Sequence, residues 1–272
     1  FQIGFIHDKN EINGYQQMQK RSKKMAEEWK GTRAEKIRIL PEHVSISDVC
    51  DIPETVSIKS VPLGIDKEKL TPTTKDLTEN YIFPVYYSVL PEVPYIQLLG
   101  EMLASNSNLQ VFMLDLSKTL NHAAVAKYHC CTQKGEVIAT IEELYNQSVY
   151  RHNTIKEAEK SGNTPAGFQE IVVFIVDLAD LYSQIKDDEM VTAKLDAVLK
   201  MGRVDMQMNV ILVQEGRKMT TMSLHSWYNR IPDRDGLWIG DGIQMQNILK
   251  SGVQYSRKVD DGFAYYVRRG KV

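Results

Sequence analysis

Three polar residues stand directly after apolar runs, at positions suited to binding magnesium and phosphate. The run Ile171–Val176 leads into Asp177, Gln110–Leu114 leads into Asp115, and Met208–Val213 leads into Gln214. In open parallel sheets, ligands bind outside the carboxyl ends of the strands. A carboxylate there can orient magnesium and water, and a glutamine can sense a terminal phosphate. The spacing alone also allows a second interpretation, in which Asp177 caps the helix that follows.

The elements that would position these residues alternate along the chain from Asn80 onward. The predicted strands are Tyr81–Val85, Gln110–Leu114, Ile171–Val176, Met208–Val213, Leu237–Ile239 and Phe263–Val267. The predicted helices are Pro91–Ser105, Ile141–Lys160, Glu189–Met201 and Ile243–Lys250. Thr140 as N-cap and Glu143 three residues later predict a capping box for the second helix. Apolar strands that alternate with amphipathic helices predict an α/β fold, with a mostly parallel sheet covered on both faces.

The first third of the chain has a different pattern. Residues 1–6 suit a short strand, and from Tyr15 the residues Met18, Ser22, Met25 and Trp29 follow the three-four spacing of an amphipathic helix. That helix either packs on the rest of the domain or binds a partner. Proline-rich residues 41–79 predict a wrapping connector with little regular structure. We therefore expect an N-terminal extension over 1–79, packed on a core of 80–272.

Composition excludes several classes of protein. The 272 residues carry a formal net charge of −2, which argues against nucleic acid as a partner. The 3 cysteines form no C-x-x-C pair and the 6 histidines no H-E-x-x-H motif, so we expect a reducing compartment and no metal site. No apolar run is long enough for a membrane span. Because the chain begins at Phe1, we expect a piece of a longer protein, with any membrane anchor elsewhere.

Three strand-end segments, VFMLDLSK, IVVFIVDLADL and NVILVQ, resemble the FtsK/SpoIIIE family of translocation ATPases. The segment VPLGIDKEKLTPTTKDLTENYIF resembles the linker ahead of each ATPase module in the type VII secretion motor. That motor is a membrane ATPase that exports small WXG-type helical proteins. The resemblance covers about residues 55–272 and is best to the C-terminal, degenerate module of the Firmicutes form. It implies a RecA-like P-loop NTPase fold.

The chain departs from the family at the nucleotide site. Aligned without gaps, the phosphate loop G-x-x-x-x-G-K-[ST] falls on VYYSVLPE, residues 85–92. Val85 and Leu90 then replace its glycines, although such side chains resist the close backbone wrapping of phosphate. Pro91 replaces the lysine and offers neither an amide hydrogen nor a charge. Glu92 replaces the serine or threonine and adds a negative charge.

The aspartate strand departs as well, because Leu178 occupies the position of the catalytic glutamate. By resemblance, Asp177 keeps the magnesium-ligand position. We therefore expect a degenerate nucleotide site without catalytic residues, and ATP and magnesium only in other modules of the parent protein. The residues of this degenerate site are Val85, Tyr86, Tyr87, Ser88, Leu90, Pro91, Glu92, Asp177, Leu178 and Gln214.

The resemblance implies a cytoplasmic module of a cell-membrane motor that recruits substrates or regulates the motor without nucleotide. Expected partners are the C-terminal tails of exported WXG-type proteins and neighbouring ATPase modules of the same chain, assembled as an oligomeric ring. Two alternatives stay open: a weakly ATP-binding motor module, and an FtsK-like DNA translocase domain. Apolar residues outside the strands are candidates for contacting a substrate tail: Met25, Trp29, Met219, Met222, Leu224 and Trp227.

Overall fold

The computed structural model describes residues 14–31, 39–41, 44–89, 95–122, 126–165, 167–251 and 262–271. By its internal contacts the chain divides into two units, Phe1–Ile39 and Leu40–Val272. The strand expected at residues 1–6 lies outside the described residues. The predicted division at residue 79 stays a prediction.

The first unit contains the predicted amphipathic helix, α1 (Gly14–Glu28). Its apolar residues Tyr15, Met18 and Met25 are exposed by 71%, 44% and 66%, and Trp29 just beyond it by 63%. Lys24 and Glu28 form an ion pair one turn apart, with 3.7 Å between Nζ and Oε1. α1 thus carries its apolar stripe on exposed side chains.

The described residues of the second unit form two sheets. The strands are β1 (Val61–Ile65), β2 (Pro72–Lys75), β3 (Ile82–Tyr87), β4 (Leu109–Leu114), β5 (His129–Cys131), β6 (Glu170–Val176), β7 (Met208–Glu215), β8 (Asp235–Ile239) and β9 (Ala264–Arg268). β1 and β2 form an antiparallel pair, and the other strands form a seven-stranded sheet in the order β5-β4-β6-β7-β3-β8-β9. Only β9 runs antiparallel to its neighbour in that sheet. The predicted mostly parallel sheet is confirmed.

Helices connect the strands. They are α2 (Ile46–Val49), α3 (Tyr95–Ala104), α4 (Lys134–Ser161), α5 (Leu178–Ile185), α6 (Glu189–Met201) and α7 (Gly216–Thr221). Within the described part of the chain, none of the helices has the length and apolar content to cross a membrane.

Both faces of the large sheet are buried, because successive side chains of β6 pack into two different hydrophobic clusters. Ile171, Val173 and Ile175 pack into the hydrophobic cluster that includes residues of α4 to α7. Val172 and Phe174 pack into a second cluster on the opposite face, formed with α3 and the connector. Successive strand residues point to opposite faces, so an unbroken apolar strand needs a cover on each side. The expected α/β architecture, with a mostly parallel sheet covered on both faces, is therefore the observed one.

Several predicted boundaries were wrong. α4 begins at Lys134 rather than Ile141, and the Glu136 carboxylate accepts the Gln133 backbone amide at 3.2 Å, at the true helix start. Thr140, predicted as N-cap, lies inside this helix. The helix predicted at 243–250 is only a 3-10 turn, Ile243–Met245. The side-chain oxygen of Gln246 accepts the backbone amides of Ile248 and Leu249, which a continuing helix would bond to backbone carbonyls.

The connector was also predicted wrongly, since it contains the β1–β2 pair and α2. Its apolar side chains Val56, Ile58, Val61 and Leu77 are buried against the sheet, with exposures of 1–3%. Burial of these side chains removes apolar surface from water and attaches the connector to the sheet.

A buried ion network adds to this attachment. The Lys75 side chain is 0% exposed, and its Nζ lies 2.5 Å from Asp235 at the start of β8 and 2.9 Å from Glu79. Asn80 also donates to Asp235, at 2.6 Å. Glu79 accepts from Arg268 of β9 at 2.8 Å, and Arg268 and Lys75 together lower its pKa to about 2. Ion pairs thus join the connector to both β8 and β9. Because Lys75 and Glu79 each take part in two of these pairs, loss of either residue would leave two partners without their counter-charge.

We predict that Lys75→Met destabilises the protein by about 3–5 kcal/mol, because removing one partner of a buried ion pair leaves an uncompensated charge. Urea unfolding followed by far-UV circular dichroism measures this. Lys69→Met is the matched control. Lys69 pairs with Asp66 on a side chain that is 77% exposed, so its loss should cost less than about 1 kcal/mol. Equal stability of the two variants would contradict the prediction.

Candidate functional site

The predicted strand-end residues do meet at one edge of the large sheet. β3, β4, β6 and β7 run parallel, with Tyr87 of β3 opposite Glu215 of β7 and Val176 of β6 opposite Val213. Asp177 follows β6 directly, and Gln214 lies near the end of β7. Their side chains therefore share the space in which a nucleotide site of this fold would lie.

Asp177 forms a sharp turn between β6 and α5. Its backbone is left-handed, with φ 51° and ψ 61°, a conformation that aspartate tolerates better than most residues. This turn directs the next residue, Leu178, into the core, where it is 0% exposed. The side chain of Asp177 accepts no hydrogen bond from α5, so the helix-capping interpretation was wrong. Gln214 takes that role, since its Oε1 accepts the amide of Ala179 at 3.0 Å.

Side chains of the same protein occupy both carboxylate oxygens of Asp177. The Tyr87 hydroxyl donates to Oδ1 at 2.7 Å, and the Thr119 hydroxyl donates to Oδ2 at 2.5 Å. The Gln214 side-chain amide makes a longer contact to Oδ1, at 3.4 Å. Asp177 is 4% exposed, so this buried charge is compensated by these donors.

A second buried carboxylate holds Thr119 in place. Asp115, which is 0% exposed, accepts the backbone amides of Thr119 and Leu120 at 2.9 and 2.8 Å. His122 Nε2 lies 2.9 Å from the same carboxylate, and its Nδ1 lies 3.0 Å from the hydroxyl of Tyr128. The loop after β4 is thus fixed by Asp115 and presents Thr119 to Asp177.

The charge around the site is mainly negative. Burial raises the pKa of Tyr87, and Asp177, Glu215 and Asp180 raise it further, so the hydroxyl keeps its proton and remains a donor. Lys218 of α7 contacts Asp180 at 2.6 Å, and this contact raises the lysine pKa. The carboxylates of Asp177, Asp180 and Glu215 repel the negative charge of a polyphosphate.

The aligned phosphate loop is partly strand. Val85, Tyr86 and Tyr87 belong to β3 and pair with β7 on one side and β8 on the other, so the strand extends two residues beyond its predicted end at Val85. Buried aromatic and β-branched residues suit a central strand. Ser88 is exposed, and its hydroxyl donates to the Asp241 carbonyl at 3.0 Å. Leu90, Pro91 and Glu92 lie outside the described residues.

Three of the candidate substrate-contact residues lie in the core. Met219, Met222 and Trp227 are 0%, 5% and 0% exposed, so they line no surface in this structure. The Trp227 indole donates to Asp196 of α6 and to Tyr182 of α5, each at 2.8 Å, which accounts for its burial. Leu224 is 96% exposed, and Met25 and Trp29 of the first unit are exposed as described above.

The pattern of strand ends did not identify Thr119 or the role of Tyr87. Thr119 lies four residues beyond Asp115, and a hydroxyl in the loop beside the aspartate strand was the available signal. Among the residues described, no group of three or more His, Cys, Asp or Glu side chains could hold a metal ion.

No protein-family model and no curated protein matches the chain. Solved structures do match its fold. EssC (ATPases 2 and 3) from Geobacillus thermodenitrificans has a TM-score of 0.72 and 15% identity, over 97% of this chain and 50% of that one. The cytoplasmic domain of EssC gives 0.69 and 13%, over 97% and 53%. Thermomonospora curvata EccC (ATPases 2 and 3), in complex with a signal sequence peptide, gives 0.61 and 16%, over 97% and 48%.

The chain therefore has the fold of an ATPase module from type VII secretion proteins and spans about half the length of these structures. The expected fold is confirmed on this evidence. At such low identity the match concerns fold alone, so the function depends on the geometry at the strand ends.

We predict that Tyr87→Phe destabilises the protein by about 1–3 kcal/mol, because the buried Asp177 carboxylate loses one of its donors. Chemical denaturation measures the change. Tyr150→Phe serves as the matched control, since Tyr150 is 62% exposed on α4 and should lose less than about 0.5 kcal/mol. A Tyr87→Phe protein as stable as the control would show that the hydrogen bond contributes nothing.

Proposed function

We propose that this chain is a module of a type VII secretion motor that does not hydrolyse ATP and instead recruits export substrates or regulates the motor. The observation that carries this proposal is the occupation of both Asp177 oxygens by Tyr87 and Thr119. A magnesium ligand must turn an oxygen lone pair toward the metal and its waters. Here both oxygens already accept hydrogen bonds from the protein, so a metal would compete with these donors for the charge of the carboxylate.

The position of Leu178 supports the same proposal. A water-activating carboxylate must reach the space beyond the strand ends, but residue 178 points into the hydrophobic cluster beneath α5 and α7. The left-handed turn at Asp177 causes this direction. The residue at the position of the family's catalytic glutamate is thus both apolar and buried.

Partners are proposed by analogy with the matched proteins. One of them, EccC, was solved with a signal sequence peptide. We propose that this chain likewise receives the C-terminal tails of small WXG-type helical proteins, with neighbouring ATPase modules supplying ATP hydrolysis within an oligomeric ring. The motor would lie at the cell membrane with this module on the cytoplasmic side. The exposed candidates for tail contact are Leu224, Met25 and Trp29.

We predict that the protein has no useful affinity for Mg-ATP in isothermal titration calorimetry, with a dissociation constant of about 1 mM or weaker, because the nearby carboxylates repel phosphate.

We also expect Leu178→Glu to gain no ATPase activity and to lose several kcal/mol of stability, because it buries an unpaired carboxylate.

The control for Leu178→Glu is Met190→Glu, which adds the same charge at a side chain that is 69% exposed. This variant should fold with nearly unchanged stability. Low-micromolar Mg-ATP affinity of the unmodified protein, or hydrolysis by a folded Leu178→Glu protein, would overturn the proposed loss of nucleotide chemistry.

We predict that a fluorescently labelled C-terminal tail peptide of a WXG-type protein binds with micromolar or weaker affinity, since one short helix buries less than a standard interface of about 1,600 Å². Fluorescence anisotropy with and without ATP measures this affinity, which should be the same in both conditions. A scrambled peptide is the control. No binding at millimolar peptide, or binding only with ATP, would contradict nucleotide-independent recruitment.

A further inference from the structure

We infer that the tight turn after β9 binds an acidic peptide segment of a partner protein. This turn, called the basic turn below, consists of Arg268, Arg269, Gly270 and Lys271. It lies beside the amino end of β8, because β9 runs antiparallel to β8 and Arg268 pairs with Asp235. The site around Asp177 lies at the opposite edge of the sheet, so the inference is independent of the proposed function.

Backbone hydrogen bonds hold the basic turn against the segment that leads into β8. The amide of Arg268 donates to the Lys271 carbonyl at 2.8 Å, and the amide of Lys271 donates to the Arg268 carbonyl at 2.9 Å. The Gly270 amide donates to the carbonyl of Arg234 at 2.8 Å. A Cβ atom added to Gly270 would lie 3.7 Å from Cδ of Arg234, so the stem of this arginine lies over the turn. The fold thus brings three arginines and one lysine together.

Arginine is an unfavourable residue at the tip of this turn. Arg269 and Gly270 both have a positive φ, 51° and 74°, as the two central residues of a type I′ turn do. Such turns favour Asn-Gly, because asparagine and glycine adopt the left-handed conformation at low cost. Arg269 therefore has a strained backbone, while its side chain is 81% exposed. Strained backbone positions cluster at ligand-binding sites.

The class of ligand follows from a carboxylate that the basic turn already holds. Oε1 of Glu79 accepts from Nη2 of Arg268 at 2.8 Å and from Nη2 of Arg269 at 3.2 Å. The two guanidinium groups therefore converge on one carboxylate oxygen. Each guanidinium has several N–H donors, of which Glu79 uses one, and the others suit bidentate contacts to further carboxylates.

The positive charge of the basic turn and Arg234 is only partly compensated. Glu79 is shared by two arginines, and its other oxygen binds Lys75 at 2.9 Å. In the described part of the chain, Arg234 and Lys271 are exposed and form no ion pair. A single carboxylate gains little from exposed cations in water. Several carboxylates on one segment gain more, because after the first contact the others bind at high effective concentration.

Two other anionic surfaces fit the basic turn less well. A nucleic acid strand needs a positive groove that follows its backbone, whereas these cations lie on one tight turn and the residue beside it. Contact with a membrane surface combines cations with apolar side chains that enter the lipid boundary. Val267, the apolar residue next to the turn, is 0% exposed and packs in the core. A polar peptide rich in aspartate and glutamate is therefore the matching partner.

Fluorescence anisotropy with a labelled peptide of alternating glutamate and serine tests the inference. The reference peptide has the same length and alternates glutamine and serine, and both are titrated with the whole chain. In about 0.05 M salt, where screening is weak, we expect the glutamate peptide to bind at least about tenfold more tightly. In about 1 M salt the difference between the peptides should disappear.

Variants locate the binding to the basic turn. Arg269→Asn with Lys271→Gln should weaken binding of the glutamate peptide at least about fivefold. Its urea unfolding midpoint should be unchanged or higher, because asparagine suits the left-handed position. Lys156→Gln with Lys160→Gln, at two exposed residues of α4, removes the same charge elsewhere and should leave binding unchanged. Lys271→Gln alone keeps the central turn residues and should still weaken binding about twofold or more.

Four results would overturn the inference. The first is equal affinity for the glutamate and glutamine peptides. The second is equal weakening by the two double variants, which would show attraction by overall charge. The third is tighter binding of an oligothymidylate of equal charge, which would assign the turn to phosphate groups of nucleic acid. The fourth is binding to phosphatidylglycerol vesicles without binding to the glutamate peptide.

Discussion

A single buried carboxylate, that of Asp177, sets the arrangement of the strand ends. The left-handed turn that joins β6 to α5 leaves this charge 4% exposed, away from the solvent that would stabilise it. An uncompensated buried charge costs several kcal/mol, so the neighbouring elements must supply donors. β3 supplies the hydroxyl of Tyr87, and the loop after β4 supplies that of Thr119. β3 and the loop after β4 must therefore both lie where their hydroxyl groups reach the Asp177 carboxylate.

This constraint extends into the helical layer behind the sheet. α5 begins beside Asp177 and is joined to α7 through the ion pair of Asp180 with Lys218. Further along α5, the Tyr182 hydroxyl donates to Asp196 of α6, and burial and that contact raise the pKa of Tyr182. The Trp227 indole binds both groups. These bonds make α5, α6 and α7 one packed layer that holds the strand ends in register.

Periodicity predicted the elements whose burial follows simple rules. The run at β6 and the one-sided pattern at α6 gave boundaries within a residue, because both are set by apolar burial alone. The start of α4 was missed because Glu136 caps the backbone amide of Gln133, three residues earlier, as Glu143 was expected to cap that of Thr140. The strand-end rule brought Asp177 and Gln214 together correctly. It did not find Thr119, since a loop hydroxyl gains its partner only when two distant segments meet. Nor did composition separate the buried Trp227 from the exposed Leu224.

The network around Lys75 has a consequence for building chimeras and truncations. A chain cut at residue 80 would keep every strand of the large sheet but lose the cation that neutralises Asp235. It would also uncover the face of the sheet on which Val56, Ile58 and Leu77 lie. Exchanging this module between relatives therefore requires a crossover upstream of the connector, in the stretch around Leu40 where the two contact units divide. The connector and the large sheet therefore have to be exchanged together, as one structural unit.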